Sequence, residues 1–205
     1  MTSQPAVTVF LVDDEPDVST ALIFLLNSVR IDARAFQSGE EFLRELETFN
    51  GPACAVIDLR MPELNGLELL QRMNDIGHKI PALFLSAHGD VPAAVSAMQL
   101  GAIDFLQKPF NSQIFLDSVS RAIKLAREAY EQRLRDTGRQ AMLARLSGRE
   151  NDVLQCVLRA QTSKEIARSL GISPKTVDVH RARVMSKLEV TTYRDLLNKI
   201  RGEPL

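Results

Sequence analysis

The sequence predicts two unlike domains: a doubly wound α/β domain on a five-stranded parallel sheet, then an all-α domain of four short helices. Three observations carry this. Short apolar runs alternate with helical patterns from residue 7 to about residue 123, which suits a layered α/β sheet. From residue 143 onward only helix signals remain. The charge also changes sign: residues 1–122 hold 8 Lys/Arg against 16 Asp/Glu, and residues 123–205 hold 17 against 10, a net −8 and +7. At 205 residues, 45% apolar and 25% charged, the chain has a globular composition, which excludes a mostly disordered or collagenous protein. Cys54 and Cys156 have no partner at metal-ligand spacing and are expected to be buried free thiols. No apolar run approaches the roughly 18 residues a membrane span needs. Met1 to Pro5 lacks a basic region and an apolar core, so a cytoplasmic protein without a signal peptide is expected.

The strands are read in order. Val7–Val12 is β-branched and nearly uninterrupted in its apolarity, and Ala53–Ile57, Ala82–Leu85 and the shorter Ile103–Leu106 are alike. Runs without polar alternation belong to strands buried on both faces. Ile31–Phe36 is a weaker strand. Between them, Pro16 can open a helix carrying Leu22, Leu25, Leu26 and Val29. Ser38-Gly39-Glu40-Glu41 reads as a capping box before Phe42 and Leu46, and Asn65-Gly66-Leu67-Glu68 repeats that logic before Leu69, Leu70 and Met73. Val91–Leu100 and Ser112–Leu125 complete five helices.

In such a sheet, chemistry sits at the carboxyl ends of the strands. The first strand ends in Asp13-Asp14, the third in Asp58, the fourth in Ser86, and Lys108-Pro109 follows the fifth. Three carboxylates, a hydroxyl and an ammonium converge on one edge. Clustered carboxylates repel, and a bound cation relieves this; an all-oxygen set suits Mg²⁺. A carboxylate beside Mg²⁺ and Lys108 is equipped to attack phosphorus. Taken singly, each of these residues reads as a cap or a surface acid, and only their joint placement points to function.

These residues resemble the receiver domain of two-component response regulators. The resemblance rests on Val12-Asp13-Asp14-Glu15, on Asp58 through Gly66, on Ser86-Ala87-His88-Gly89-Asp90 and on Asp104 through Phe110, over residues 7 to about 123. It implies a flavodoxin-like receiver with Asp58 as phosphoacceptor for a cognate sensor histidine kinase. It also implies Mg²⁺ held by Asp13, Asp14, Asp58 and the main-chain carbonyl of Arg60. Lys108 would pair with the phosphoryl group, Ser86 would close on it, and Phe105 would be the aromatic switch that follows Ser86. Phe105 lacks a hydroxyl, so its two states must differ by packing. His88 is read as a loop residue, not a phosphorelay histidine.

Residues 124–142 read as a helical linker. Arg121 to Arg145 is rich in good helix formers, and fraying is expected near Asp136–Gly138. In residues 143–205, Ser147–Glu150 and Thr162–Glu165 are capping boxes, and Gly171 closes a helix. Ser173-Pro174 opens the next helix over Lys175–Leu188, and Thr192–Asp195 opens the last. Two helices joined by Gly171-Ile172-Ser173 form a helix-turn-helix. A wheel at about 100° per residue places Val177, Val184 and Leu188 inward, with His180 and Met185 beside them. Lys175, Val179, Ala182, Arg183 and Ser186 lie opposite. Lys175 and Arg183, with Thr176 and Lys187 at the edge, can hold phosphates, and Val179 can meet a thymine methyl. Asp178, also at the edge of this face, either accepts from cytosine, or is a solvated acid, or pairs with Arg181 or Arg183. Arg181 falls nearer the core side and is expected to snorkel or to pair with a scaffold acid.

This second region resembles the LuxR-type helix-turn-helix, on Leu146–Glu150, Ser163–Ala167 and Ile172–Arg181. The two resemblances together imply a regulator of the NarL/FixJ class, most like its FixJ branch. Its expected partners are a cognate histidine kinase, double-stranded DNA and, on phosphorylation, a second copy. A dehalogenase-like phosphatase would also place an Asp and Mg²⁺ at strand ends, but it needs an Asp-x-Asp pair that Asp13-Asp14-Glu15-Pro16 lacks. A scaffold whose receiver acts only through protein contacts is the other alternative. The complete acidic set with Lys108 argues against it.

Overall fold

The central strands carry side chains that must be buried on both faces, and they are. In the computed structural model, which describes residues 5–87 and 91–201, β1 (Thr8–Val12), β3 (Ala53–Asp58) and β4 (Ala82–Ser86) are buried along their whole length. The edge strands β2 (Ala33–Phe36) and β5 (Asp104–Gln107) are only partly covered. All pairings are parallel, in the order β2-β1-β3-β4-β5. Val12 stands opposite Phe36 on one side and Ile57 on the other.

Alternate residues of each strand feed two different cores. Phe10, Val12, Ala55, Ile57 and Phe84 pack under α2 (Gly39–Thr48), α3 (Gly66–Asp75) and α4 (Val91–Gln99). There Phe10 meets Phe36, Phe42 and Phe49 at ring-centroid distances of 5.6, 5.4 and 4.9 Å. Val9, Leu11, Cys54, Val56, Leu83 and Leu85 pack under α1 (Pro16–Ser28) and the first half of α5 (Ser112–Leu143).

The helix starts follow local chemistry. Asn65 and Glu68 form a full capping box, with Pro16 in the first turn of α1. The box at Ser38 is half made. Its hydroxyl accepts from the Glu41 N–H, but the Glu41 carboxylate accepts from Gln37 N–H rather than from Ser38. α5 does not fray at Asp136–Gly138 as expected; it runs on to Leu143. One glycine costs a helix about 1 kcal/mol. Leu134 and Arg135 before this turn and Arg139 to Met142 after it are strong formers, and contacts from Gln132 to Asp136 and from Arg139 to Asp136 brace it.

The chain divides into two compact units, residues 1–131 and 132–205. The second contains α6 (Gly148–Leu158), α7 (Ser163–Leu170), α8 (Pro174–Lys187) and α9 (Tyr193–Arg201). Ser147 with Glu150 and Thr162 with Glu165 form full capping boxes, Gly171 ends α7 at φ 66°, and Ser173 caps α8 with Pro174 in its first turn. Val153, Leu154, Ile166, Val177, Val184, Leu188 and Leu196 form the core of this unit. Cys54 is buried as expected, whereas Cys156 is only half-buried, at the margin of that core. His88–Asp90 lie outside the described residues.

Candidate functional site

The carboxyl edge of the sheet gathers its charges as strand order dictates. Asp13 directly follows β1 and Asp58 ends the adjacent β3; both are buried, at 2% and 7% exposure. Lys108 follows β5, two strands away, and its N–H donates to the Ser86 carbonyl at 2.7 Å. From there its ammonium reaches back over the edge. Nζ donates to Asp13 Oδ2 at 2.8 Å and to Asp58 Oδ1 at 2.6 Å. The other carboxylate oxygens accept from backbone: Asp13 Oδ1 from Glu15 N–H at 2.9 Å, and Asp58 Oδ2 from Arg60 N–H at 2.8 Å. Burial alone pulls the Lys108 amine down, but the hydrogen bonds and charges of Asp13 and Asp58 together outweigh it. The net shift is upward from 10.5.

Three of the expected residues, Asp13, Asp58 and Lys108, are thus brought into contact. Asp14 stands half-buried at the same strand end and does not join the ammonium contact. Arg60 contributes its N–H to Asp58, with its side chain exposed. Ser86 is buried at the end of β4. Phe105 is half-buried and stacks on Phe84 at 6.5 Å between ring centroids. Among the described residues, no group of three or more His, Cys, Asp and Glu is arranged to hold a metal ion. The donor chemistry nevertheless fits a hard divalent cation. Three carboxylates stand against one ammonium, and every donor is oxygen.

Asn65-Gly66 is expected both to shape the loop after Asp58 and to cap the next helix. A Cβ on Gly66 would lie 2.5 Å from the Asp58 carbonyl oxygen and 2.8 Å from Phe84 Cε1. Its N–H also donates to the Leu59 carbonyl at 3.0 Å. The bare backbone of α3 therefore sets how closely the turn after Asp58 packs. The Asn-Gly pair was the available signal.

The second site is the outer face of α8. Lys175, Thr176, Asp178, Val179, Ala182 and Arg183 are all exposed, and Val179 shows 44% of its surface. Val177, Val184 and Leu188 point into the core, as the wheel required. Two residues have partners that the sequence did not disclose. Lys187, expected at the DNA edge, is half-buried and donates to Glu150 Oε2 at 2.7 Å and to the Arg145 carbonyl at 3.2 Å. Glu150 is buried at 3% exposure. Lys187, and the N–H of Ser147, hold its carboxyl down at about 2. Asp178 pairs with neither Arg181 nor Arg183. Its Oδ1 accepts from the Ser163 hydroxyl at 2.8 Å, and Arg181 donates to that same hydroxyl at 3.1 Å. Arg181 therefore neither snorkels freely nor pairs with an acid directly.

A sheet of this strand order, with a lysine-bridged aspartate pair at its carboxyl edge, thus shares one chain with a helix-turn-helix unit. The chain belongs to the response regulators: residues 9–120 match the response regulator receiver domain, and residues 144–199 match the luxR family of bacterial regulatory proteins. Transcriptional regulatory protein TdiR of Thauera aromatica is 43% identical over 94% of this chain and 85% of its own length. Transcriptional regulatory protein FixJ of Rhizobium meliloti (strain 1021) is 40% identical over 93% of each. The solved structure of response regulator StyR covers 97% of this chain and 100% of its own, with TM-score 0.80 and 37% identity. Full-length FixJ of B. japonicum covers 95% and 94%, with TM-score 0.55 and 36% identity. The NarL/FixJ class is thereby established, and the chain is a two-component transcription regulator rather than an enzyme of the phosphatase kind. No helix among the described residues is long and apolar enough to cross a membrane.

Proposed function

We propose that Asp58 takes a phosphoryl group from a sensor histidine kinase and that this charging drives the chain onto DNA as a dimer. In this reading residues 1–123 receive the phosphoryl group, 124–142 link, and 143–205 bind DNA. The observation that carries it is the Lys108 ammonium lying between Asp13 and Asp58. An Asp58 oxygen attacks phosphorus, the bond to the donor's histidine nitrogen breaks, and the imidazole leaves. Lys108 is free to follow the added charge of about −1.5 to −2, because its proton is held throughout the neutral range. Asp13, Asp14, Asp58 and the Arg60 carbonyl would hold Mg²⁺, which neutralises phosphoryl oxygens when bound. Ser86 moves to the phosphoryl group and Phe105 turns inward from its place on Phe84.

Whole-domain electrostatics oppose activation. A net −8 receiver region and a +7 remainder attract each other, and phosphorylation strengthens that attraction. Local rearrangement must therefore supply the release. The surface of α4, β5 and α5 fits this part: Val91, Val95 and Met98 on α4 are 70, 51 and 51% exposed. Two charged receivers pairing there would present two α8 helices to half-sites about one DNA turn apart, raising effective concentration without new contacts. On DNA, Lys175, Thr176 and Arg183 hold phosphates, while Val179, Ala182 and Asp178 face base edges. Lys187 acts at one remove, by fixing α8 to Glu150 and Arg145.

The test is incubation with acetyl phosphate and Mg²⁺, read by intact mass and sedimentation. The unmodified protein gains one phosphoryl group, dimerises and binds a two-fold symmetric site more tightly. Asp58→Asn does none of these. Phosphorylation of Asp58→Asn at the unmodified level, or a monomer with unchanged DNA affinity after charging, refutes the reading.

A further inference from the structure

Asp178 stands out on α8 as an acid on a face built for a polyanion. Its surroundings explain how it is tolerated. The Ser163 hydroxyl, in the first turn of α7, donates to Asp178 Oδ1 at 2.8 Å and accepts from Arg181 Nη1 at 3.1 Å. The direction of this relay is fixed by chemistry. A guanidinium only donates and a carboxylate only accepts, so the hydroxyl has one arrangement that satisfies both. Arg181 is half-buried and anchors the relay in the unit; Asp178 is exposed at its outer end. Ser163 and Asp178 are 15 residues apart, on different helices. Asp178 Oδ2 has no partner among the described residues.

Resting on α8 as the DNA-reading helix, we propose that Ser163 is a specificity-positioning residue. It locks the Asp178 carboxylate so that Oδ2 accepts from the N4 amine of a cytosine in the major groove. A surface carboxylate otherwise samples several rotamers, and its ordering on binding would blunt any discrimination. Held in advance, it rewards an edge that offers a donor there, cytosine N4 over adenine N6 because the adenine N7 beside that amine is an acceptor that repels the carboxylate, and it penalises edges that offer acceptors alone. Arg181, through the hydroxyl, offsets part of that charge before DNA arrives.

The test is selection from a randomised two-fold site library with the full-length, phosphorylated protein. The parent enriches cytosine at one position per half-site by about tenfold, within what one base-edge contact discriminates. Asp178→Ala loses that enrichment. Ser163→Ala and the near-isosteric Ser163→Cys, a weak donor, lose it to within about twofold of Asp178→Ala, while Ser163→Thr restores it. Affinity for phosphates, read as the slope of binding against salt, is unchanged in all four. Retained cytosine enrichment in Ser163→Ala and Ser163→Cys, or a uniform loss of affinity with the preference kept, overturns the inference; so does retained enrichment in Asp178→Ala. If the parent enriches no sequence and Arg183→Ala binds as the parent does, the reading of α8 itself has failed.

Discussion

Replacing Lys108 by alanine exposes the energetics of the acidic edge. The ammonium makes contacts of 2.8 and 2.6 Å with carboxylates whose side chains are 3% and 10% exposed, and its own side chain is 17% exposed. Removing one partner of a buried ion pair costs about 3–5 kcal/mol. Here each carboxylate keeps one backbone N–H, at 2.9 and 2.8 Å, and water reaches the site from the lysine side. A loss of about 2–3 kcal/mol is therefore expected, or roughly 6–15 °C in the melting of a unit this size. The sign with Mg²⁺ is the opposite of the parent's preference for the ammonium. A divalent ion at about a hundredfold its Kd adds about 2.7 kcal/mol to the state that binds it. In the variant it meets no competing ammonium, so it stabilises Lys108→Ala more than the parent. Raised above 10.5, the lysine keeps its proton at neutral pH. Its contribution is complete below the unfolded value and lost only as pH rises through the folded one. The parent–variant difference is thus flat from pH 7 to pH 9. Calorimetry in EDTA and in Mg²⁺ measures this, following the transition that Asp58→Asn also shifts. Equal stability without Mg²⁺, or equal Mg²⁺ stabilisation of both proteins, refutes the reasoning.

Three further outcomes follow from other contacts. Gly66→Ala drives a methyl to 2.5 Å from the Asp58 carbonyl oxygen. Backbone cannot yield as a side-chain tip does, so it costs about 1–3 kcal/mol and slows phosphorylation by acetyl phosphate; an unchanged melt and rate contradict this. Glu150, held near 2 instead of 4.5, contributes stability that is present above 4.5 and lost as pH falls toward 2. Acid titration followed by circular dichroism should show residues 132–205 unfolding over that window, and Glu150→Gln should flatten the slope. Burial pushes the Cys54 thiol up to about 12, so native alkylation modifies half-buried Cys156 and spares Cys54, as peptide mass mapping will show.

Features encoded within a few residues were legible in the sequence. The boxes at Asn65, Ser147 and Thr162 need only residues three apart, and the structure forms all three. The buried strands were legible because apolar runs without alternation have few other homes. Asp13, Asp58 and Lys108 could be placed at one edge by topology alone, although not the ammonium bridge between the two acids. Partners far apart in the chain stayed hidden. Lys187 and Glu150 are 37 residues apart, and a wheel gives the side of a helix, not what lies against it. The Ser163 relay, whose partners are 15 and 18 residues away in the chain, is hidden for the same reason. At Gly138 helix propensity alone favours a break, and the side-chain contacts around Asp136 that hold the turn are not visible in propensity.

The Lys108 bridge also dates the moment at which the receiver comes of age during synthesis. Its ammonium joins Asp13 from 95 residues away and Asp58 from 50. Both aspartates leave the ribosome well before the lysine that bridges them, and β5 cannot pair with β4 until it too has emerged. Contacts of such long separation form late, after the loops between them have closed. A nascent chain therefore carries Asp58 without its counter-charge, and a fragment ending before β5 does so permanently. Under the proposed function, neither takes up a phosphoryl group as the finished protein does, and competence for that reaction arrives only after the whole sheet has been made.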